Sequence, residues 1–149
     1  LVAIGGLAGT SATTGLRTPT ITRTRFVVGT TANTDFTAND ANAQIEVEIT
    51  FDEQVTVTGS PQLTVTNNDA SGGGYGNLTL AYVSADSTAN QLRFRKTSAG
   101  IGNTDVLTVS TLALNGGTIR DTAAAAAGNT VNATLTYGSG IAVSKTVSS

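Results

Sequence analysis

Apolar and polar residues alternate along much of this chain, and this alternation constrains the fold more than any other feature. The clearest run, residues 45–51, reads IEVEITF. Because successive side chains of a strand point to opposite faces, the run predicts a half-buried strand with its glutamates on the solvent face. Further short runs predict other strands, with turn residues between them. The predicted strands are 21–28, 45–51, 55–58, 63–65, 78–82, 92–94, 106–109, 131–137 and 141–147.

Helical patterns are scarce by comparison. Hydrophobic residues rarely recur at three-and-four spacing, because glycine, threonine and asparagine interrupt every long window. The five alanines of 123–127 have high helix propensity but are too few to hold a helix alone, so we expect a loop or one helical turn there. Short strands with turn signals at this spacing are typical of an all-β sandwich.

The composition argues against several classes of function. Only 12% of the residues are charged and the net charge is −2, so no basic stripe predicts nucleic-acid binding. The absence of histidine and cysteine removes the usual general base, the thiol nucleophile and most transition-metal sites. No stretch reaches the roughly 18–20 apolar residues of a membrane span. The 28 threonines supply a polar surface that is compatible with strands.

Three ordered motifs carry a resemblance to a known family. The first is ITFDEQVTVTGSPQLTV at 49–65; the second is AYVS at 81–84 with NQLRF at 90–94; the third is LALNGGTIRD at 112–121 with GN at 128–129. The chain resembles the bacterial Ig-like repeats found in large surface adhesins and in phage virion structural proteins, over roughly residues 19–137. The resemblance implies an immunoglobulin-like antiparallel β-sandwich whose roles are spacing, display and adhesion, with no catalytic residues.

The chain departs from that repeat pattern in ways that suggest an assembly subunit. It is a single copy, it inserts three glycines at 72–74, and it begins with a Gly- and Thr-rich stretch. We therefore predict an extended N-terminal arm at 1–17 and the sandwich at 18–149. The arm residues expected to contact a neighbouring subunit, or to add a strand to its sheet edge, are Leu1, Val2, Ile4, Leu7 and Leu16.

Carboxylates offer the main candidates for chemistry. Asp52 and Glu53 are adjacent, so on a strand they would point to opposite faces, and Glu46 and Glu48 are expected on a solvated sheet surface. We therefore predict no enzyme. Calcium is the one cofactor candidate, because hard cations bind clustered carboxylates, although loop aspartates also favour turns. The loop aspartates are Asp35, Asp40, Asp52, Asp105 and Asp121.

Two further sets of residues are candidate contacts. Tyr75 lies in the glycine loop, where it is either a sugar-contacting ring or a side chain folded back over apolar surface. Arg93 and Arg95 share one face of their strand and are expected to meet Glu46 and Glu48 across the sheet, or else to face an acidic partner.

Three hypotheses of function follow from these residues. The first is a non-enzymatic virion-surface protein, either a capsid decoration or a head-associated subunit, that docks on capsid neighbours through residues 1–17. The second is a bacterial extracellular adhesin repeat or a filament subunit that donates the arm as a strand. The third is a carbohydrate-binding module that contacts cell-surface glycans through Tyr75. All three place the chain on a virion surface, outside the cell or on the cell surface.

Overall fold

The computed structural model describes residues 19–29, 31–32, 35–123, 132–133 and 143–149, with the backbone alone for 39–42. Within these residues nearly all regular structure is strand, which confirms the predicted all-β class. One 3-10 turn, Ser84–Asp86, precedes β8. The strands are β1 Ile21–Val28, β2 Thr31–Ala32, β3 Phe36–Thr37, β4 Asn39–Phe51, β5 Val55–Thr58, β6 Gln62–Asn67, β7 Leu78–Tyr82, β8 Gln91–Ile101, β9 Val106–Ala113, β10 Thr118–Asp121 and β11 Ser144–Ser148.

Nine of the strands form one sheet, in the order β2-β1-β4-β8-β7-β6-β9-β11-β3, and β10 and β5 form a second, smaller sheet. Neighbours pair antiparallel, except that β11 and β3 are parallel. The two end strands, β2 and β3, are consecutive in the chain. Ala32 and Phe36 are therefore at most about 14 Å apart, whereas nine strands laid flat would span about 38 Å. The large sheet must curl until its ends approach each other.

The core fills the inside of this curl. The inward residues of β4, Ile45, Val47 and Ile49, have no solvent exposure. They pack in one cluster with apolar residues from most other strands. Fully buried members from those strands include Leu63, Val65, Leu80, Phe94, Leu107, Val109 and Ile119.

Several predicted strands are confirmed. β1 has the predicted bounds, and β7 and β8 form the predicted hairpin, with Tyr82 opposite Phe94. Of the strand predicted at 131–137, the described residues are Asn132 and Ala133, and the Ala133 amide donates to the Ile119 carbonyl at 2.8 Å. Thr122 and Ala123 are helical, and the rest of the alanine run lies outside the described residues.

Two expectations about carboxylates are wrong. Glu46 and Glu48 do not lie on a solvated face, because their exposed fractions are only 2% and 4%. Arginine side chains from both neighbouring strands cover them. Asp52 and Glu53 lie in a bend between β4 and β5, so the strand alternation that would send them to opposite faces does not apply.

Two glycine turns lie against each other at one end of the molecule. Gly59 follows β5, and Asn115, Gly116 and Gly117 connect β9 to β10. Asn115 and Gly116 have φ angles of 50° and 78°, as the predicted tight turn requires. A Cβ atom at Gly59 would lie 2.8 Å from the Cα of Gly117, so this close approach of two backbones needs glycine on both sides.

Candidate functional site

A network of charged side chains covers the outer face of β1, β4 and β8. The sheet register creates it, because Glu48 lies opposite Arg25 on one side and Arg93 on the other, while Glu46 lies opposite Arg95. Residues directly opposite each other on antiparallel strands have neighbouring Cβ atoms, so opposite charges there meet. We call this set the charge network. Its members are Arg23, Arg25, Glu46, Glu48, Asp86, Arg93 and Arg95.

Arg93 is the centre of the network. Its Nη1 donates to Oε1 of Glu46 at 2.9 Å, and its Nη2 donates to Oε2 of Glu48 at 3.0 Å. Oε1 of Glu48 also accepts from Nε of Arg25 at 3.0 Å and from Nη2 of Arg23 at 3.3 Å. The predicted meeting of Arg93 and Arg95 with the two glutamates is confirmed, although in a buried setting.

Glu46 remains ionised in this buried setting because it has several donors. Arg95 Nη2 lies 2.8 Å from its Oε1, and Gln44 Nε2 lies 3.1 Å from its Oε2. Burial alone would raise the pKa of Glu46, but hydrogen bonds from Arg95, Arg93 and Gln44 outweigh burial, and the pKa lies below its ordinary value. The hydrogen bond from Arg95 to Glu46, together with the one to Asp86, raises the pKa of Arg95.

A cleft of about 210 Å³ opens at one end of the charge network, and we call it the arginine cleft. Gly29, Asp86, Arg93 and Arg95 line it. Arg93 Nη1 donates to the Gly29 carbonyl, and Arg95 Nη2 donates to Asp86. The Nε atoms of Arg93 and Arg95 are buried without a hydrogen-bond partner. The Nη atoms of the two arginines bind Glu46, Glu48 and Asp86, so the cleft lies beside arginines that are already paired with carboxylates of the same chain.

A second buried carboxylate, Asp105, fixes the loop that connects β6 to β7. It has no exposed surface, and it accepts from the Gly102 amide at 2.8 Å, the Ser71 amide at 2.9 Å and Asn67 Nδ2 at 2.9 Å. Burial would raise the pKa of Asp105, but these donors lower it to about 2. Its oxygens therefore face N–H donors, which is the arrangement of a structural carboxylate.

Tyr75 lies in the same loop and is half-buried. Its amide donates to Oδ1 of Asp69 at 3.0 Å. Its ring lies against Gly73 and Gly102, since a Cβ atom at Gly102 would lie 3.0 Å from the ring. This is the geometry of a side chain folded back over the end of β8.

A carboxyl pair that the sequence did not reveal lies beside the smaller sheet. Asp121 ends β10 opposite Val55 of β5, and Glu53 precedes β5 by two residues. Burial, a hydrogen bond with Asp121 and the charges of Asp121 and Asp52 raise the pKa of Glu53 to about 7. Only the pairing of β5 with β10 brings these groups together, so no local motif could have indicated them.

Of the calcium candidates, Asp52 and Asp121 both lie near Glu53. Asp35 precedes β3, Asp40 lies in β4, Asp52 accepts from the Thr20 amide at 3.1 Å, and Asp105 and Asp121 are engaged as above. Among the described residues, no three carboxylates, histidines or cysteines form a group that could hold a metal ion.

The predicted arm contacts lie outside the described residues. These are Leu1, Val2, Ile4, Leu7 and Leu16. In the described part of the chain, no helix is long and apolar enough to cross a membrane. No protein-family model matches the chain, and neither a curated protein nor a solved structure matches it.

Proposed function

We propose that this chain is an immunoglobulin-like structural module of a virion surface, a capsid decoration or head-associated subunit that docks through residues 1–17. The strand order is the observation that carries the fold assignment. If β1, β4, β6, β7, β8, β9 and β11 are lettered A to G in chain order, the large sheet reads A-B-E-D followed by C-F-G. This order matches that of the two layers of a constant-type immunoglobulin sandwich, which supports the proposal.

The junction between those layers is compatible with this assignment. β7 and β6 pair through four residue positions, with Leu63 opposite Leu80, so strand D continues into strand C as a hairpin. In the proposed sandwich, the curl of the sheet would bring A-B-E-D to face C-F-G, with the two inner faces sharing one core.

The use of charge supports a structural role. Glu46 and Glu48 of β4 bind Arg93 of β8, and Asp105 ties the β6–β7 loop to the end of β8. Each buried carboxylate in these two sets accepts hydrogen bonds from its own chain, so these charges tie strands and a loop together. A scaffold that uses its charges in this way is suited to display and spacing.

The virion assignment and the docking role come from the sequence. The motif at 49–65 resembles the Ig-like repeats of phage structural proteins, and the apolar positions of 1–17 are the residues expected to dock. An arm with apolar residues gains stability by adding to a neighbour's sheet edge or covering its apolar surface.

Sedimentation velocity tests this proposal with three versions of the chain. The first is the full chain and the second lacks 1–17. The third keeps the arm length but carries serine at its five apolar positions, Leu1, Val2, Ile4, Leu7 and Leu16. We expect only the full chain to form a closed oligomer or to bind isolated capsids.

Other outcomes would point elsewhere. Equal behaviour of all three versions would reject docking through the arm. Open-ended filaments from the full chain alone would favour the bacterial extracellular subunit. Glycan binding that is lost in Tyr75→Ala would favour the carbohydrate-binding module instead.

A further inference from the structure

The smaller sheet has an outer face on which threonine side chains surround one arginine. Along β10, Ile119 and Asp121 are buried, whereas the residues that alternate with them are partly exposed. Arg120 lies directly opposite Thr56 of β5, so the two side chains are neighbours on this outer face. We call this surface the threonine face. Its residues are Thr56, Thr58, Thr118, Arg120 and Thr122.

Arg120 differs from the arginines of the charge network. Each of those binds a carboxylate, whereas Arg120 forms no ion pair within the described ranges of the chain. Its Nε atom is buried without a hydrogen-bond partner, but its two Nη atoms do not share that burial, so they are the reachable end of the guanidinium group. Asp121 lies on the opposite face of β10 and is only 7% exposed. The threonine face therefore carries an unpaired cation with accessible donors.

Two pairs of hydroxyl groups lie on either side of Arg120 along β10. The Oγ1 atoms of Thr56 and Thr122 are 2.9 Å apart, and those of Thr58 and Thr118 are 2.7 Å apart. A bond between two hydroxyls uses only one of their O–H donors, so each pair keeps one donor for a ligand. Because threonine is branched at Cβ, its side chain has few rotamers, and these donors are held in position before a ligand arrives.

We propose that the threonine face binds a phosphate group through the Nη atoms of Arg120 and the spare hydroxyl donors of the two threonine pairs. A guanidinium group alone can occupy both oxygens of a planar carboxylate. A tetrahedral phosphate keeps further oxygens, which can accept from the hydroxyls on either side. This site lies on the folded domain, so it does not depend on residues 1–17 or on docking through them.

NMR titration of the full chain at low salt tests the proposal with three probes. These are inorganic phosphate, acetyl-phosphoserine-amide and acetate. We expect both phosphate probes to shift the amides of Arg120 and Thr56, with dissociation constants on the order of millimolar for one charged group. Acetate should bind several-fold more weakly, because it cannot use the hydroxyl donors. Binding of the free ion alone would identify small anions as the ligand, and binding of the ester alone would identify a phosphorylated partner; either result supports the site.

Matched variants make the result specific. Arg120→Gln breaks no ion pair, so it should fold normally and weaken phosphate binding about tenfold or more. Lys145→Gln makes the same change of charge on β11 of the large sheet and should leave the affinity unchanged. Thr56→Val combined with Thr122→Val keeps the side-chain shapes but removes one hydroxyl pair, and it should weaken binding about threefold to tenfold.

Three results would overturn the proposal. Acetate binding as tight as phosphate binding would mean that the hydroxyls take no part. Equal affinities of Arg120→Gln and Lys145→Gln would mean that the chain attracts phosphate only through its overall charge. Phosphate-induced shifts confined to residues outside β5 and β10 would place the anion elsewhere.

Discussion

The Nη1 atom of Arg93 lies 2.9 Å from Oε1 of Glu46 in the interior, where the two side chains are 9% and 2% exposed. For such a buried pair, desolvation offsets much of the attraction, but loss of one partner leaves an uncompensated charge. Arg93→Met would remove the most buried cation from both Glu46 and Glu48, which would keep only the more exposed Arg95 and Arg25. We expect it to lower the free energy of unfolding by up to about 3–5 kcal/mol, measured by urea denaturation.

Arg23 provides the matched control for that experiment. It also donates to Glu48, at 3.3 Å, but its side chain is 49% exposed. Arg23→Met should cost no more than about 1 kcal/mol, because exposed ion pairs contribute little. Equal losses for the two variants would mean that burial does not set the strength of this network.

Asp105→Asn should destabilise the protein mainly at neutral pH. Its pKa of about 2 in the folded chain lies below the unfolded value, so its stabilising effect is present above about pH 4 and lost as the pH falls towards 2. The shift corresponds to about 2 kcal/mol at neutral pH. Stability measured from pH 2 to 7 should therefore change less steeply between pH 2 and 4 in the variant than in the native chain, and parallel curves would contradict this account.

The sequence predicts the strands well because alternation is a local signal. β1 has the expected bounds, β7 pairs with β8 as expected although β8 continues to Ile101, and the turn at Asn115 and Gly116 has the expected positive φ angles. Pairing between distant strands carries no such signal. The parallel contact of β3 with β11 and the curl of the sheet depend on it, so neither was predictable from local patterns.

The same limit explains the errors at the candidate site. The alternation correctly predicts that Glu46 and Glu48 lie on the opposite face of β4 from Ile45 and Val47. It does not indicate whether that face contacts water or arginine side chains. Strand spacing predicts the contact of the two glutamates with Arg93. The burial of the glutamates depends on side chains from two neighbouring strands and on the turn at Asp86. Asp105 lies in a loop, as predicted, but its donors come from residues 67, 71 and 102, a grouping that the sequence pattern does not indicate.

Alanine substitutions at Gly59 and Gly72 test the close backbone contact between Gly59 and Gly117. Their φ angles are 71° and 70°, so alanine meets similar left-handed strain at both, about 1–2 kcal/mol. A Cβ atom at Gly72 has no neighbour within 4 Å, whereas one at Gly59 lies 2.8 Å from Gly117 Cα. Gly59→Ala should therefore lower the melting temperature clearly more than Gly72→Ala in calorimetry, and equal shifts would show that the two turns can separate.

Glu53 should make the native chain less stable as the pH rises towards neutrality. Its pKa is raised to about 7 by burial, by the hydrogen bond with Asp121 and by nearby negative charge, so the folded chain binds this proton more tightly than the unfolded chain. The resulting stability is present below about pH 4 and is lost as the pH rises through 7. Glu53→Gln keeps a hydrogen-bonding amide without the charge, so its melting temperature should exceed that of the native chain at pH 8 but not at pH 4. Asp52→Asn removes the smallest cause of the raised pKa and should therefore raise the melting temperature at pH 8 by less. If Glu53→Gln kept the pH dependence of the native chain, another group would be the one that titrates.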